Sequence, residues 1–287
     1  MHKTTSLKQR VASSRFARVA AFPSRARSVA RYDSLVLGRS LRWLLSSREH
    51  TNFTYNLAPL NRVHLCWFVS LVTRKPFDQI QGYLDEIDED EKLKAHVRRM
   101  TEQSPRRYLA DTRVEYGRRI GWYAITRAIR PRQVVETGTD KGLGSVVLAS
   151  ALIRNAEESD PGFLTTIDIN PDSGYLISNE YGEVTNRILG DSLEQLRNLE
   201  SKVDMFLHDS DHHAPYEAAE YRSVATHLSN QAFVLSDNAH CSNELSHFAQ
   251  ETGRQFLFFD ERPDHHWYPG AGLGIAWHSP VGSGTSQ

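Results

Sequence analysis

From Gln133 to Trp277 the sequence alternates short apolar runs with amphipathic segments of helical length, and this alternation confines the chain to an α/β sheet fold. The strand-like runs are QVVETG from 133, FLTTIDI at 163–169, a short run ending in ILG before Asp191, VDMFLHD at 203–209 and AFVLSDN at 232–238. Two more lie near 255–260 and 272–277. Between them 146–156, SLEQLRNLE, 215–228 and 243–253 show helical spacing. Helices of that length between strands imply βαβ units and a parallel sheet. The last two runs have no helix between them, so they are predicted to form an antiparallel pair at one edge. The sum is a mostly parallel seven-stranded sheet with helices on both faces.

A helical N-terminal region precedes this pattern. Residues 1–33 read as a basic arm with Leu7, Val11, Phe16 and Val19 near helical spacing, interrupted at Pro23. Helices are predicted over 34–46, 61–73, 76–103 and 111–129, with a loop over 51–61 and a linker at Ser104-Pro105. The expected domains are the arm at 1–33, a helical cap at 34–110, a catalytic domain at 111–279 and a tail at 280–287. Composition matters here for one reason. The net charge of −1 conceals eleven Lys/Arg against two acids, Asp33 and Glu49, in residues 1–50, opposed by 23 against 33 in the rest. A basic arm suits an anionic membrane surface, nucleic acid or a targeting role, or it packs on the chain's own acidic body. Peripheral membrane contact is the expectation carried forward, with no nucleic-acid partner. Cys66 and Cys241 are too few for a disulfide framework, and they fit a reducing, cytoplasmic setting as small apolar residues. The longest apolar run, near 64–72, is too short to span a bilayer.

The first strand ends in VVETGTDKGLGS, which puts Glu136, Gly138 and Gly142 at a strand-to-helix turn. Ligands of such sheets bind at the carboxyl ends of the strands, where glycine lets the backbone approach closely. The spacing E-x-G-x-x-x-G differs from the G-x-G-x-x-G of dinucleotide sites, which argues against an NAD-binding oxidoreductase. The second strand ends in Asp168, suited to ribose hydroxyls or to a turn before Pro171. The third is followed by Asp191 and Ser192, suited to an adenine edge or to a helix cap. In this order, over about 111–278, these features resemble the class I S-adenosylmethionine (SAM)-dependent methyltransferases, with their Rossmann-like sheet. The resemblance implies Glu136, Gly138 and Gly142 around the methionine moiety of SAM, Asp168 on the ribose, and Asp191 with Ser192 on the adenine.

Strands four and five end in HDSDHHAPYE and SDNAH, bringing Asp209, Asp211, Asp237 and Asn238 toward the same edge. Hard oxygen donors of this kind suit Mg²⁺. The pattern is similar to the cation-dependent O-methyltransferases of the catechol and caffeoyl-CoA type. The string DSDHHAPYE also resembles a bacterial group that includes sugar O-methyltransferases. The catechol-type resemblance implies a metal on Asp209, Asp237 and Asn238. His212 stands where the catechol type has a lysine base, and an imidazole can do that work; His213 is the alternative. Asp209 and His212 are therefore the expected catalytic pair. The acceptor is expected to be a small hydroxylated molecule such as a sugar or catechol-like diol. The loop 261–270, with His265, His266, Trp267 and Tyr268, reads equally as a substrate wall and as a plug of the sheet edge. The competing readings are a metal-independent methyltransferase, a metal phosphoesterase and a non-catalytic SAM-binding protein. A homo-oligomer is compatible with all of them.

Overall fold

The computed structural model describes residues 17–49 and 51–278, so Leu7, Val11, Phe16 and the tail at 280–287 lie outside the described residues. The chain divides into two compact units, one comprising the N-terminal residues to Ser47 with His265–Trp267, the other residues 48–264 and 268 onward.

In the first unit one helix, α1, runs over Phe22–Ser46. The expected interruption at Pro23 is corrected. Proline occupies the first turn, where no N–H is needed, and so it opens the helix rather than breaking it. The break falls one step earlier, at Ala21, after the short helical turn Ala17–Ala20. None of the α1 side chains is buried. Trp43 packs its ring on Trp267 (centroids 5.2 Å apart) and on His266 (6.3 Å).

The second unit begins with three helices, α2 (Pro59–Thr73), α3 (Phe77–Glu89) and α4 (Glu91–Gln103). The predicted single helix over 76–103 is two, because Asp90 ends one and caps the next. Its side chain accepts the Leu93 N–H at 2.9 Å. The predicted helix over 111–129 shortens to α5, Arg119–Ile129. Gly117, at φ +55°, turns the chain where an added Cβ would lie 2.8 Å from the Tyr55 ring.

The sheet is built from β1 (Gln133–Thr137), β2 (Phe163–Asp168), β3 (Thr185–Leu189), β4 (Val203–His208), β5 (Leu228–Ser236), β6 (Gln255–Asp260) and β7 (Gly272–Trp277). Helices α6 (Leu143–Glu157), α7 (Ser192–Arg197), α8 (Ala214–Ala225) and α9 (Glu244–Glu251) connect them. The strand order is β3-β2-β1-β4-β5-β7-β6, and β7 runs antiparallel to both of its neighbours. The expected antiparallel pair therefore sits at the β6 edge. Order reverses between β1 and β4, the switch point of a Rossmann-like sheet. One core, with Leu65, Ile80, Trp122 and Leu148, lies on the side of α2–α6. The other, with Phe206, Tyr221, Val234 and Phe248, lies under α7–α9.

Candidate active site

The three central strands end level. Register pairs Thr137 with Ile167 and with His208, and His208 with Ser236. One residue later, Gly138 N–H donates to the Ile167 carbonyl (2.8 Å), Asp209 N–H to Thr137 (2.9 Å) and Asp237 N–H to His208 (2.8 Å). The crossing is so tight that a Cβ on Gly138, whose φ is +87°, would stand 2.0 Å from the Asp209 carbonyl oxygen. Gly142, at φ +90°, caps α6 at its start. Above this edge opens a pocket of about 680 Å³ whose wall includes Glu136, Gly138, Asp168, Asp191, Asp209 and His212.

On the β1–β3 side the acids are held by backbone. Asp168 accepts the N–H groups of Asp140 and Asn170, each at 2.8 Å. Asp191 caps α7 by accepting from Leu193 (2.8 Å) and Glu194 (3.3 Å). The cap and ligand roles foreseen for this residue are compatible, since a carboxylate has further lone pairs. Ser192 also lines the pocket, and its hydroxyl bonds Glu220 and, at 2.8 Å, the Tyr216 hydroxyl. Glu136 is fully buried and accepts from Ser145 and from Thr166 (2.7 Å). Burial pushes its carboxyl up to about 7, against the pull of those two hydroxyls.

On the β4–β5 side the groups are charged and buried. Asp237 receives both arms of the Arg118 guanidinium. Arg118 also donates to the Tyr55 hydroxyl (3.0 Å) and to Glu261 (3.2 Å), and its backbone N–H donates to Glu261 (3.1 Å). Burial alone would raise the Asp237 pKa, but Arg118 overcomes it and holds the carboxyl well below its ordinary range. Asp209 moves the other way, driven up by burial and by the neighbouring Asp237 charge. One proton shared by the pair resolves the crowding.

His212 Nε2 lies 2.9 Å from Asn238 Nδ2 and 3.9 Å from Asp209 Oδ1. Burial first and the adjacent His208 second lower the pKa of its ring, which keeps it neutral near pH 7. His213 turns outward, 87% exposed, and pairs with Asp211 at 2.5 Å, well away from the cluster. The geometry therefore separates the two histidines that the sequence left as alternatives.

The donor atoms of Asp209, His212 and Asp237 lie within 4.8 Å of one another, a spacing compatible with a metal ion. In the expected ligand set of Asp209, Asp237 and Asn238, both Asp237 oxygens accept from the Arg118 guanidinium, whose charge would repel a cation placed beside it. Asn238 meets His212 through Nδ2, so its Oδ1 is the atom that would ligate. A fixed guanidinium already supplies the positive charge that crowded carboxylates require.

Two residues that carry the site, Arg118 and Arg119, were not singled out from the sequence. The available signal was their position: two arginines opening RRIGWYAITRAI, a helix otherwise apolar enough to be buried. Charges carried into such a helix need partners or a ligand. Arg118 finds partners. Arg119, 6% exposed, stacks over Trp122 and lines the pocket. Its Nε has no hydrogen-bond partner, and no carboxylate lies in ion-pair range of it among the described residues.

Residues 135–239 match a family model described as a methyltransferase domain. No curated protein matches the chain. Among solved structures, cofactor-bound Rv0187 from MTB aligns with TM-score 0.52 at 15% identity over 66% of this chain and 90% of its own. The O-methyltransferase TomG from Streptomyces achromogenes, solved with SAM, gives 0.50 at 18% over 67% and 91%. A methyltransferase from Geobacter sulfurreducens gives 0.50 at 18% over 70% and 98%. At these identities the structures speak for the fold. Sheet order, switch-point pocket and family match agree on a Rossmann-like sheet that carries a methyltransferase domain across residues 135–239.

Proposed function

We propose that this enzyme methylates a hydroxyl oxygen of a small polyhydroxylated acceptor in the pocket above β1, β2 and β4. The observation that carries the reading is the unpaired, buried Arg119 guanidinium, set in one pocket with Glu136, Asp168 and Asp191. That donor set suits SAM. Arg119 would take the carboxylate and Glu136 the ammonium of its methionine portion, Asp168 the ribose hydroxyls, and Asp191 the adenine edge. Gly138 and Gly142 keep the floor free of side chains, and Asn52 donates to Asp140 (2.8 Å) at the pocket wall.

Bound there, SAM would supply an electrophilic methyl group for the acceptor oxygen, with S-adenosylhomocysteine as the leaving thioether. The chain's own task is to hold the acceptor in line and to remove its proton. His212, neutral and on the pocket wall, is the base. Its Nε2 accepts from the Asn238 amide N–H, which puts the ring proton on Nδ1 and orients the ring, and Nε2 takes the acceptor's proton as the amide gives that lone pair up. Arg118 and Asp237 hold a fixed charge pattern behind Asp209, which shares a proton with Asp237. A second reading, in which Mg²⁺ binds Asp209, Asp237 and Asn238, is favoured by the donor spacing of the cluster and requires withdrawal of the Arg118 fork.

Isothermal titration tests the cofactor assignment. SAM and S-adenosylhomocysteine should bind and NAD⁺ should not, and Asp168→Ala should weaken SAM binding by roughly 1.5–3 kcal/mol. Binding of NAD⁺ without SAM would overturn it. Once an acceptor is found, turnover should survive EDTA, and His212→Ala should slow it by about 10²–10⁴-fold. Activity lost in EDTA and restored by Mg²⁺ would establish the second reading instead.

A further inference from the structure

The side chains of helix α1 are largely sorted around its axis. At about 100° per residue, Tyr32, Val36, Val29, Phe22, Leu44 and Leu41 fall on one arc roughly 180° wide, interrupted by Arg25 and Asp33. Arg27, Arg31, Arg39 and Arg42 fall on the other side, together with Leu35 and Leu45. The apolar arc is open: Phe22 is 67% exposed, Val29 59%, Leu37 60% and Leu44 66%. Near Trp43, aromatic packing from His266 and Trp267 covers part of it.

We infer that α1 is a membrane-surface helix that lies in the headgroup layer of an anionic bilayer. Three observations select this occupant over a second copy of the chain. The apolar arc is about twice as wide as the seam of a two-stranded coiled coil, which needs only two positions in seven. The helix carries five arginines against the single Asp33, and Glu49 is the only other acid in residues 1–50, so its field is complementary to anionic lipid. Leu35 and Leu45 apart, its aromatic and leucine residues stand opposite four of the five arginines, the arrangement that buries apolar side chains below the headgroups while guanidinium groups meet phosphate. The same arginines, spaced along its whole length, keep the helix from inserting across the bilayer; no helix among the described residues is long and apolar enough to cross a membrane.

Vesicle flotation with the full chain tests this. Phosphatidylcholine vesicles containing phosphatidylglycerol should carry the protein at low salt, and vesicles of phosphatidylcholine alone should carry much less. Neutralising three arginines together (Arg27→Gln, Arg31→Gln, Arg42→Gln) should weaken partitioning about a hundredfold, on the order of fivefold per charge. Leu37→Asp and Leu44→Asp should each weaken it by about tenfold or more. None of these residues touches the pocket, so an unchanged melting temperature of the catalytic unit and unchanged SAM binding verify the variants. Equal binding to neutral and anionic vesicles, or binding indifferent to both leucine substitutions, would overturn the proposal. So would a chain that ignores vesicles but sediments as a dimer that Leu37→Asp dissociates, which would assign the face to a second copy.

Discussion

The two halves of the pocket edge are built from different materials. At the ends of β2 and β3, Asp168 and Asp191 are held by backbone N–H groups no more than 28 residues away in sequence. At the ends of β4 and β5, Asp209 and Asp237 depend on Arg118, which lies 119 residues before Asp237 and 143 before Glu261. The first half keeps its shape by local turns and caps, each worth little alone. The second is a buried charge network, in which removing one member leaves the others unpaired in a medium that penalises them.

This contrast predicts unequal responses to substitution. Arg118→Ala should be the most damaging, because Asp237 and Glu261 would remain buried without a cation. A loss of about 3–5 kcal/mol in urea unfolding is expected, and a loss below 1 kcal/mol would show that water reaches the cluster. Gly138→Ala comes next. The added methyl meets the Asp209 carbonyl at 2.0 Å in a backbone conformation that disfavours side chains, so unfolding should move by roughly 3 kcal/mol.

Glu136 sharpens the comparison through pH. Its carboxyl is raised to about 7 in the fold from its ordinary 4.5, so the folded state binds the proton more tightly than the unfolded chain. Stability is then fully present below about 4.5 and is lost as pH rises through 7. Glu136→Gln should flatten that slope and leave the ligand-free protein up to about 3 kcal/mol more stable at pH 8 than the parent. Identical slopes for both proteins would show Glu136 ionised throughout. Smallest is Asp191→Ala, a lost helix cap worth about 1 kcal/mol. It should also weaken SAM binding if the carboxylate meets the adenine.

The same contrast explains what the sequence made legible. Strands, sheet edge and glycine turn were readable because apolar periodicity and local turn chemistry determine them. Asp168 and Asp191 were readable for the same reason, since each follows a strand within its own motif. The tail of α3 and the start of α4 were not, because Asp90 reads as one more acid in DEIDEDE until its capping bond is seen. Nor was the start of the expected 111–129 helix, which Arg118 and Gly117 delay through partners far along the chain. The metal expectation came from four well-placed donors in SDN and DSD motifs. It did not include the arginine, because no spacing rule ties Arg118 to Asp237. The His212 and His213 pair shows the reverse case: the motif narrowed the choice to two neighbours, and a turn in the backbone separated them.

The placement of β7 between β5 and β6 has a consequence for the order of events during synthesis. When β5 has left the ribosome, β4 can pair with one of its edges, but the other must wait for residues 272–277. Throughout that interval the nascent chain presents an unsatisfied row of backbone donors and acceptors on an apolar strand, AFVLS, a template for pairing with another chain. Strand β6, made in between, cannot shield it, because its own partner is also β7. The last strand to emerge is thus the one that closes two edges at once, and nonsense or frameshift lesions upstream of Gly272 should send the product to aggregation rather than to a smaller folded enzyme.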